Sequence, residues 1–211
     1  KSLKGFGVSD FPDAIVAAGV SLHYLKETEH HQTNHILNLS RVEQSKYVWM
    51  DRFTMKNLEL FYSPNKNAIT LIDILDQTKS PMGSRMLRRW LSLPLKDIEQ
   101  INHRYKIVDK LMNDDDLSDQ IGEQLNIIGD LERLISKVAT LRINPRECGV
   151  LKNALLSLDS VKEICKNSSF EIFNVLAKKI DSCISLRQKI EKELSDNPPT
   201  FVHKGNVIKE G

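Results

Sequence analysis

Residues 70–94 read TLIDILDQTKSPMGSRMLRRWLSLP, and this stretch decides the fold because two helix starts follow one another within it. Thr70 is placed to cap the turn TLIDILD, with Asp73 three residues on as the reciprocal acceptor of a capping box. Ser80 followed by Pro81 puts a capping hydroxyl just before a proline at the first helical position. A second helix is therefore predicted to begin at Pro81. At 3.6 residues per turn Met82, Met86, Leu87, Trp90 and Leu91 fall on one side, while Arg85, Arg88, Arg89 and Ser92 fall on the other. The first side is expected to lie in the core with Trp90 buried. The other is strongly cationic.

Downstream of Pro94 the apolar spacing stays helical. Asp97 and Gln100 form a capping pair for Ile98, Ile101, Tyr105, Val108, Leu111 and Met112. Asp130 starts a segment with Leu131, Leu134, Ile135 and Val138, and Asn144, Pro145 and Glu147 open another with Val150, Leu151, Ala154, Leu155 and Leu158. Two more helices are predicted over about 169–180 and 181–194, ended by Asn197-Pro198-Pro199, where proline forbids continuation. Asp114, Asp115 and Asp116 lack the alternation and the later glutamate of a calcium loop, so an exposed turn between helices is expected there.

Upstream, an amphipathic helix is predicted from about Asp10 to Thr28, with Ile15, Val16, Ala18, Gly19, Leu22 and Leu25 as its apolar side. His30, His31 and His35 follow. An i,i+4 pair such as His31 and His35, near Glu27 and Glu29, is a spacing that could hold a metal; a solvated helix end is the simpler reading. Between Ile36 and Tyr62 three short β-prone runs occur, Ile36, Leu37 and Leu39, then Tyr47, Val48 and Trp49, then Leu58, Leu60 and Phe61, which predict a small sheet or hairpin. In the same segment Asp51 is expected to bond backbone groups of a turn that holds Asn57. The fold class expected is mainly α, a multi-helix bundle with a small β element near the N-terminal third.

Composition bounds what the chain does. Its 211 residues, 40% hydrophobic with nine glycines, suffice to bury roughly 70–75% of the surface the unfolded chain exposes. A net charge of +2 does not argue for nucleic acid by itself, and no apolar run approaches the ~18–20 residues of a membrane span. No signal-peptide pattern is present. The three cysteines, Cys148, Cys165 and Cys183, form no CxxC and suit a reducing, cytoplasmic compartment. Charge is unevenly spread. From Lys79 to Lys106 there are seven Lys or Arg and two acidic residues, whereas Asp109 to Arg133 holds eight acidic residues and two basic. Adjacent patches of opposite sign can register docked domains.

The pattern TLxxxLDxTxxPMGSRxLRRWLxxPL resembles the opening of the core domain of the MutS family of DNA mismatch-repair ATPases, with Ser80 where that family more often has threonine. Residues 17–28, AAGVSLHYLKET, resemble the last helix of its connector domain, with Ser21 and His23 as departures. Residues 51–60, DRFTMKNLEL, resemble the segment leading into the core. DLERLISK at 130–137 and RINPRE at 142–147 resemble later core motifs, with Cys148 where leucine is usual. The resemblance implies that 1–36 end a connector domain and that 37–211 form the first part of a core domain, stopping before the lever helices and clamp. It also implies an intact protein that is an ATPase using ATP and Mg²⁺, homodimeric, and acting on mismatched double-stranded DNA through domains outside this chain. The chain contains no GxxxxGK[ST] phosphate loop and no Phe-x-Glu. Within it, no catalytic, cofactor or metal residue is expected, and its role is read as non-enzymatic structural coupling, with Arg85, Arg88 and Arg89 as an interdomain contact. The alternative is an autonomous basic helical DNA-binding module that uses the same arginines and weakens steeply with salt. A third possibility, a metal-dependent enzyme built on the histidines, predicts bound metal.

Overall fold

The structure is a computed structural model that describes residues 8, 10–28, 33, 36, 39, 42–65 and 67–209. Helix follows helix: α1 (Pro12–Glu27), α2 (Arg52–Asn57), α3 (Leu71–Leu75), α4 (Pro81–Ser92), α5 (Ile98–Met112), α6 (Asp115–Ile128), α7 (Leu131–Ala139), α8 (Pro145–Asn167), α9 (Glu171–Lys179) and α10 (Ile184–Glu193). Most of the starts are dictated by caps. Asp73 accepts from both the backbone N–H and the hydroxyl of Thr70, at 3.0 and 2.6 Å. Ser80 accepts from the Gly83 N–H at 3.2 Å, and Asp97 from that of Gln100 at 3.0 Å. Asn144 and Glu147 complete a reciprocal box at 2.9 and 3.2 Å. Apart from the Thr70 hydroxyl bond, each satisfies a backbone N–H at the helix start that has no intrahelical partner.

The 23-residue α8 is the axis of the bundle, packed against α6 and α9 on one side and α7 and α10 on the other. Its apolar residues divide between two clusters. Val161 and Cys165 join Leu117 and Ile128 of α6 and Phe173 and Ala177 of α9, with Met82, Ile107 and Leu111 packed around them. Leu151 and Leu155 join Leu134 of α7, with Leu131, Ile143, Cys183 and Ile190 at the margin. Two ion pairs tie α10 to α8: Arg187 with Asp159 at 3.1 Å and Lys152 with Glu191 at 2.5 Å.

Four expectations require correction. Among the described residues no strand forms; the expected β element reduces to an antiparallel bridge between Tyr47 and Leu95, with the Val48 N–H donating to the Pro94 carbonyl at 2.7 Å. The Asp51 carboxylate accepts from the Thr54 N–H at 2.7 Å and so caps α2, a helix where a turn between strands was predicted. Asn57 is its last residue, and Glu59 just beyond takes φ 47°, which ends the helical path. The Asp114–Asp116 run is likewise a helix start: Asp114 accepts from the Leu117 N–H at 2.9 Å, and Asp115 and Asp116 occupy the first turn of α6, where negative charge meets the positive end of the helix dipole.

The fourth correction is Trp90. It is 43% exposed and Met86 46% exposed, because α4 reaches the core cluster through Met82, near its N-terminal end, while Leu87 and Leu91 are only half-buried and Met86 and Trp90 lie nearer solvent. Along α1, Ile15, Ala18 and Leu25 are half-buried while Val16, Gly19 and Leu22 are exposed, so its predicted apolar side is only partly covered. The predicted histidine cluster, His30, His31 and His35, lies outside the described residues.

Candidate functional site

The cationic side of α4 owes its rigidity to the Ser80 cap and to Pro81 at the first helical position, and its direction to Met82 against the core. Arg85, one turn in, projects across to the start of α7. Its Nη1 and Nη2 donate to the two carboxylate oxygens of Asp130 at 3.0 and 2.7 Å, and its Nε and Nη2 donate to Glu132 Oε2 at 2.9 and 2.6 Å. This is the bidentate geometry that a planar guanidinium offers and a lysine cannot reproduce. Asp130 is at the same time the cap of α7, since its Oδ1 accepts from the Arg133 N–H at 3.2 Å. One carboxylate therefore both starts α7 and receives α4.

The electrostatics follow. The Arg85 hydrogen bonds hold the Asp130 carboxyl below the usual carboxylate range, helped by the Arg133 N–H and by the charges of Arg85 and Arg133. Arg85 is shifted upward, first by its bonds to Asp130 and then by those to Glu132. All three side chains remain in contact with solvent, so the attraction is screened by salt.

Arg88 and Arg89 behave differently. Both are exposed, and among the described residues neither makes an ion pair or side-chain hydrogen bond. Arg88 contributes a weak charge effect at Asp73 and Asp76, whose carboxyls are held down mainly by hydrogen bonds: from Thr70 in the first case, from Ser84 and Thr78 in the second. On the apolar side of α4 the Arg104 guanidinium of α5 lies 3.6 Å from the centroid of the Trp90 ring, a cation–π contact that covers one ring face. The three predicted arginines thus divide, Arg85 turned inward as a clasp and Arg88 and Arg89 left on the surface. Asp130 and Glu132 were not foreseen as its partners; the signal was the acidic block facing the basic one in the sequence.

Among the described residues no three His, Cys, Asp or Glu side chains are grouped to hold a metal ion, and no helix is long and apolar enough to cross a membrane. Burial raises the thiol pKa of Cys148 and of Cys165, the opposite of what a reactive thiolate needs.

The chain is a capped helical bundle in which an arginine fork joins α4 to the start of α7, and comparison with known proteins gives its kind. The family model described as MutS domain III matches residues 53–210, and the chain belongs to that family. Along all of its 211 residues it is 46% identical to the DNA mismatch repair protein MutS of Christiangramia forsetii and 44% identical to that of Bacteroides fragilis; over 210 residues it is 45% identical to that of Flavobacterium psychrophilum. In each case the chain spans 24% of the relative's length.

Proposed function

We propose that this chain is a non-catalytic coupling segment of a MutS-type mismatch-recognition ATPase, with residues 1–36 as the end of the connector domain and 37–211 as the first part of the core. The observation that carries this reading is the clasp between Arg85 and the Asp130–Glu132 pair. It turns α4 and the α7–α8 bundle into one mechanical unit, so displacement of either is passed to the other instead of being absorbed by a hinge. Arg88 and Arg89 sit on that rigid support and present charge outward, which suits a docking surface for another domain of the same protein. In this reading ATP and Mg²⁺ belong to a domain outside the chain, mismatched duplex is gripped by further domains, the intact protein is a cytoplasmic homodimer, and the chain itself has no enzymatic step.

The test uses the intact protein with Arg88→Glu and Arg89→Glu together. Stimulation of ATP turnover by mismatched DNA is expected to fall while DNA affinity and its salt dependence stay near those of the parent. Should affinity fall with a flatter salt slope and stimulation stay normal at saturation, the arginines contact phosphates, and the DNA-binding reading replaces this one.

A further inference from the structure

We propose that the cleft between α8 and the loop that follows α10 binds a phosphate monoester, either a free phosphorylated compound or the phosphorylated end of a nucleic-acid strand. The loop, residues 195–207, is closed at its base by an antiparallel bridge between Leu194 and Ile208. There the Ser195 N–H donates to the Val207 carbonyl at 2.9 Å and the Lys209 N–H to the Glu193 carbonyl at 2.8 Å. Pro198 and Pro199 stiffen the chain that leaves the bridge. It lies against α8 at Gly149, where a Cβ would sit 3.6 Å from Pro198 Cγ. Between this loop and the outward side of α8 is a cleft of about 470 Å³, a size that suits a small molecule. Both of its walls are fixed by the fold.

The charges that line the cleft do not cancel. Lys152 and Asp196 each have a partner, Glu191 of α10 at 2.5 Å for the first and Lys209 at 2.8 Å for the second. Arg146 on the helix wall and Lys204 on the loop wall are exposed, and among the described residues neither forms an ion pair. Lys204 is held from behind by the Phe201 ring, 5.8 Å from its Nζ, and that ring stacks in turn on His203. Like charges on facing walls repel, and together they focus a positive potential into the cleft, which an anion relieves. The donors are side chains and not the helix start itself, since Pro145 has no N–H and the Glu147 N–H is already taken by Asn144 at 2.9 Å. Charge also selects the class of ligand. A carboxylate or a phosphodiester brings one negative charge, whereas a phosphate monoester brings about −1.5 to −2 at pH 7, enough to meet both cations. The Arg146 fork suits two phosphate oxygens in parallel and Lys204 a third, with the Asn153 amide and the Thr200 hydroxyl as further donors on the two walls. None of Arg85, Arg88 and Arg89 takes part, so the inference stands if the coupling role fails.

Two probes test it on the whole 211-residue chain at constant ionic strength. Inorganic phosphate, the smallest dianion of this kind, is titrated while the amide resonances are followed by NMR. Saturable shifts are expected at Gly149, Asn153, Thr200 and Lys204, and none with chloride. Arg146→Gln and Lys204→Gln are each expected to weaken phosphate binding at least fivefold, with circular dichroism unchanged, whereas Arg142→Gln, exposed but outside the cleft, stays within twofold of the parent. The second probe is a short single-stranded oligonucleotide with a fluorescent 3′ label, prepared with a 5′-phosphate or a 5′-hydroxyl and followed by anisotropy. Binding of the phosphorylated strand at least fivefold tighter than the hydroxyl strand, and weakened by the same two substitutions, supports the site with a strand end as its source. Saturable phosphate binding with no oligonucleotide binding sensitive to those substitutions supports it with a free phosphorylated compound as the source. Absence of saturable phosphate shifts in the cleft, or shifts that survive both substitutions, overturns the proposal. Equal affinity for the two strands, lost in both variants, overturns it as well, by assigning the cleft to the phosphodiester backbone.

Discussion

Arg85 and Asp130 meet through two parallel hydrogen bonds of 3.0 and 2.7 Å although 45 residues separate them in the sequence. The basic block that begins at Lys79 and the acidic block that ends near Arg133 are joined at this point, within the chain. Because Asp130 is also the α7 cap, whatever loosens it affects two helices at once.

Breaking the fork separates its two duties. Asp130→Asn keeps an oxygen to cap α7 and loses the charge, whereas Arg85→Gln loses the fork and leaves the cap alone. Each is expected to lower the melting temperature. The double substitution is expected to lower it by less than the sum, because both remove the same contact. Arg85→Lys should fall between Arg85→Gln and the parent, since an ammonium cannot bridge both oxygens in parallel. All of these losses should shrink between roughly 0.1 and 1 M salt, where the screening length drops from about 10 to 3 Å. Thermal melts at the two salt concentrations check this.

Acid should act on the same contacts. The carboxyls of Asp130, Asp73, Asp76 and Glu147 are all held below their ordinary values by hydrogen bonds, that of Glu147 first by Lys137 and then by the Asn144 N–H. A carboxyl whose folded pKa is depressed contributes stability that is present above its unfolded pKa, about 4, and lost as the pH falls through the lower folded value. The melting temperature is therefore expected to hold from pH 7 to about 5 and to decline below about 4. In Asp130→Asn that decline should be shallower, which a pH series of melts will show.

Gly129 fixes where Asp130 stands. Its backbone has φ 64° and ψ −136°, a region that side chains with a Cβ rarely enter, and it is both the end of α6 and the residue before the clasp. A Cβ would meet nothing closer than the Ile127 carbonyl oxygen at 3.9 Å, so the cost of alanine is conformational and not a clash. Gly129→Ala is expected to destabilise the chain by ~1–3 kcal/mol. Chemical denaturation checks the size of the loss. If the substitution also moves Asp130, Arg85→Gln should cost less in this background than in the parent.

How much of this was legible in the sequence depended on how local the cause was. The caps at Thr70, Ser80, Asp97 and Asn144 are bonds to residues three positions away, and each formed where the sequence placed it. α6 was hidden by its own first residues: three aspartates resemble a turn, although Leu117, Ile121, Leu125 and Ile128 already carry a helical period. The β-prone runs near Tyr47 and Leu58 failed because strands need partners, and propensity does not supply one; Tyr47 found only a bridge to Leu95. At the candidate site, Arg85 was legible as an outward cation but its partners were not, since the approach of α7 to α4 is set by packing around α8. The amphipathic pattern of α4 showed which side is apolar. It could not show what covers that side.

One local strain can be relieved. Leu141 has φ 56° and lies just past α7, where the Leu141 N–H donates to the Val138 carbonyl at 3.0 Å and the Arg142 N–H to the Lys137 carbonyl at 2.8 Å. That paired pattern is the helix ending that favours glycine at the left-handed position. The Leu141 side chain is 76% exposed, so little packing is lost with it. Leu141→Gly is expected to stabilise the chain by ~0.5–1 kcal/mol, the left-handed penalty less the greater chain entropy of glycine. An increase in the denaturant midpoint with unchanged slope will check it.

The two ends of the burial scale give the last prediction. Trp90 and Phe173 are both large aromatic residues on the apolar sides of helices, and sequence spacing alone makes them equivalent. In the structure Phe173 is 2% exposed, inside the cluster formed with Leu117, Ile128 and Val161, whereas Trp90 is 43% exposed and touched on one face by Arg104. Truncating Phe173 removes buried contacts and leaves a cavity that α6, α8 and α9 all border, so Phe173→Ala is expected to cost ~3–5 kcal/mol. Truncating Trp90 opens no cavity in the bundle and loses mainly the guanidinium contact, so Trp90→Ala in this chain is expected to cost about 1 kcal/mol. Denaturant titrations of both variants and the parent make the comparison. A Trp90→Ala loss as large as that of Phe173→Ala would show that the apolar side of α4 is covered within the chain, contrary to the packing described here.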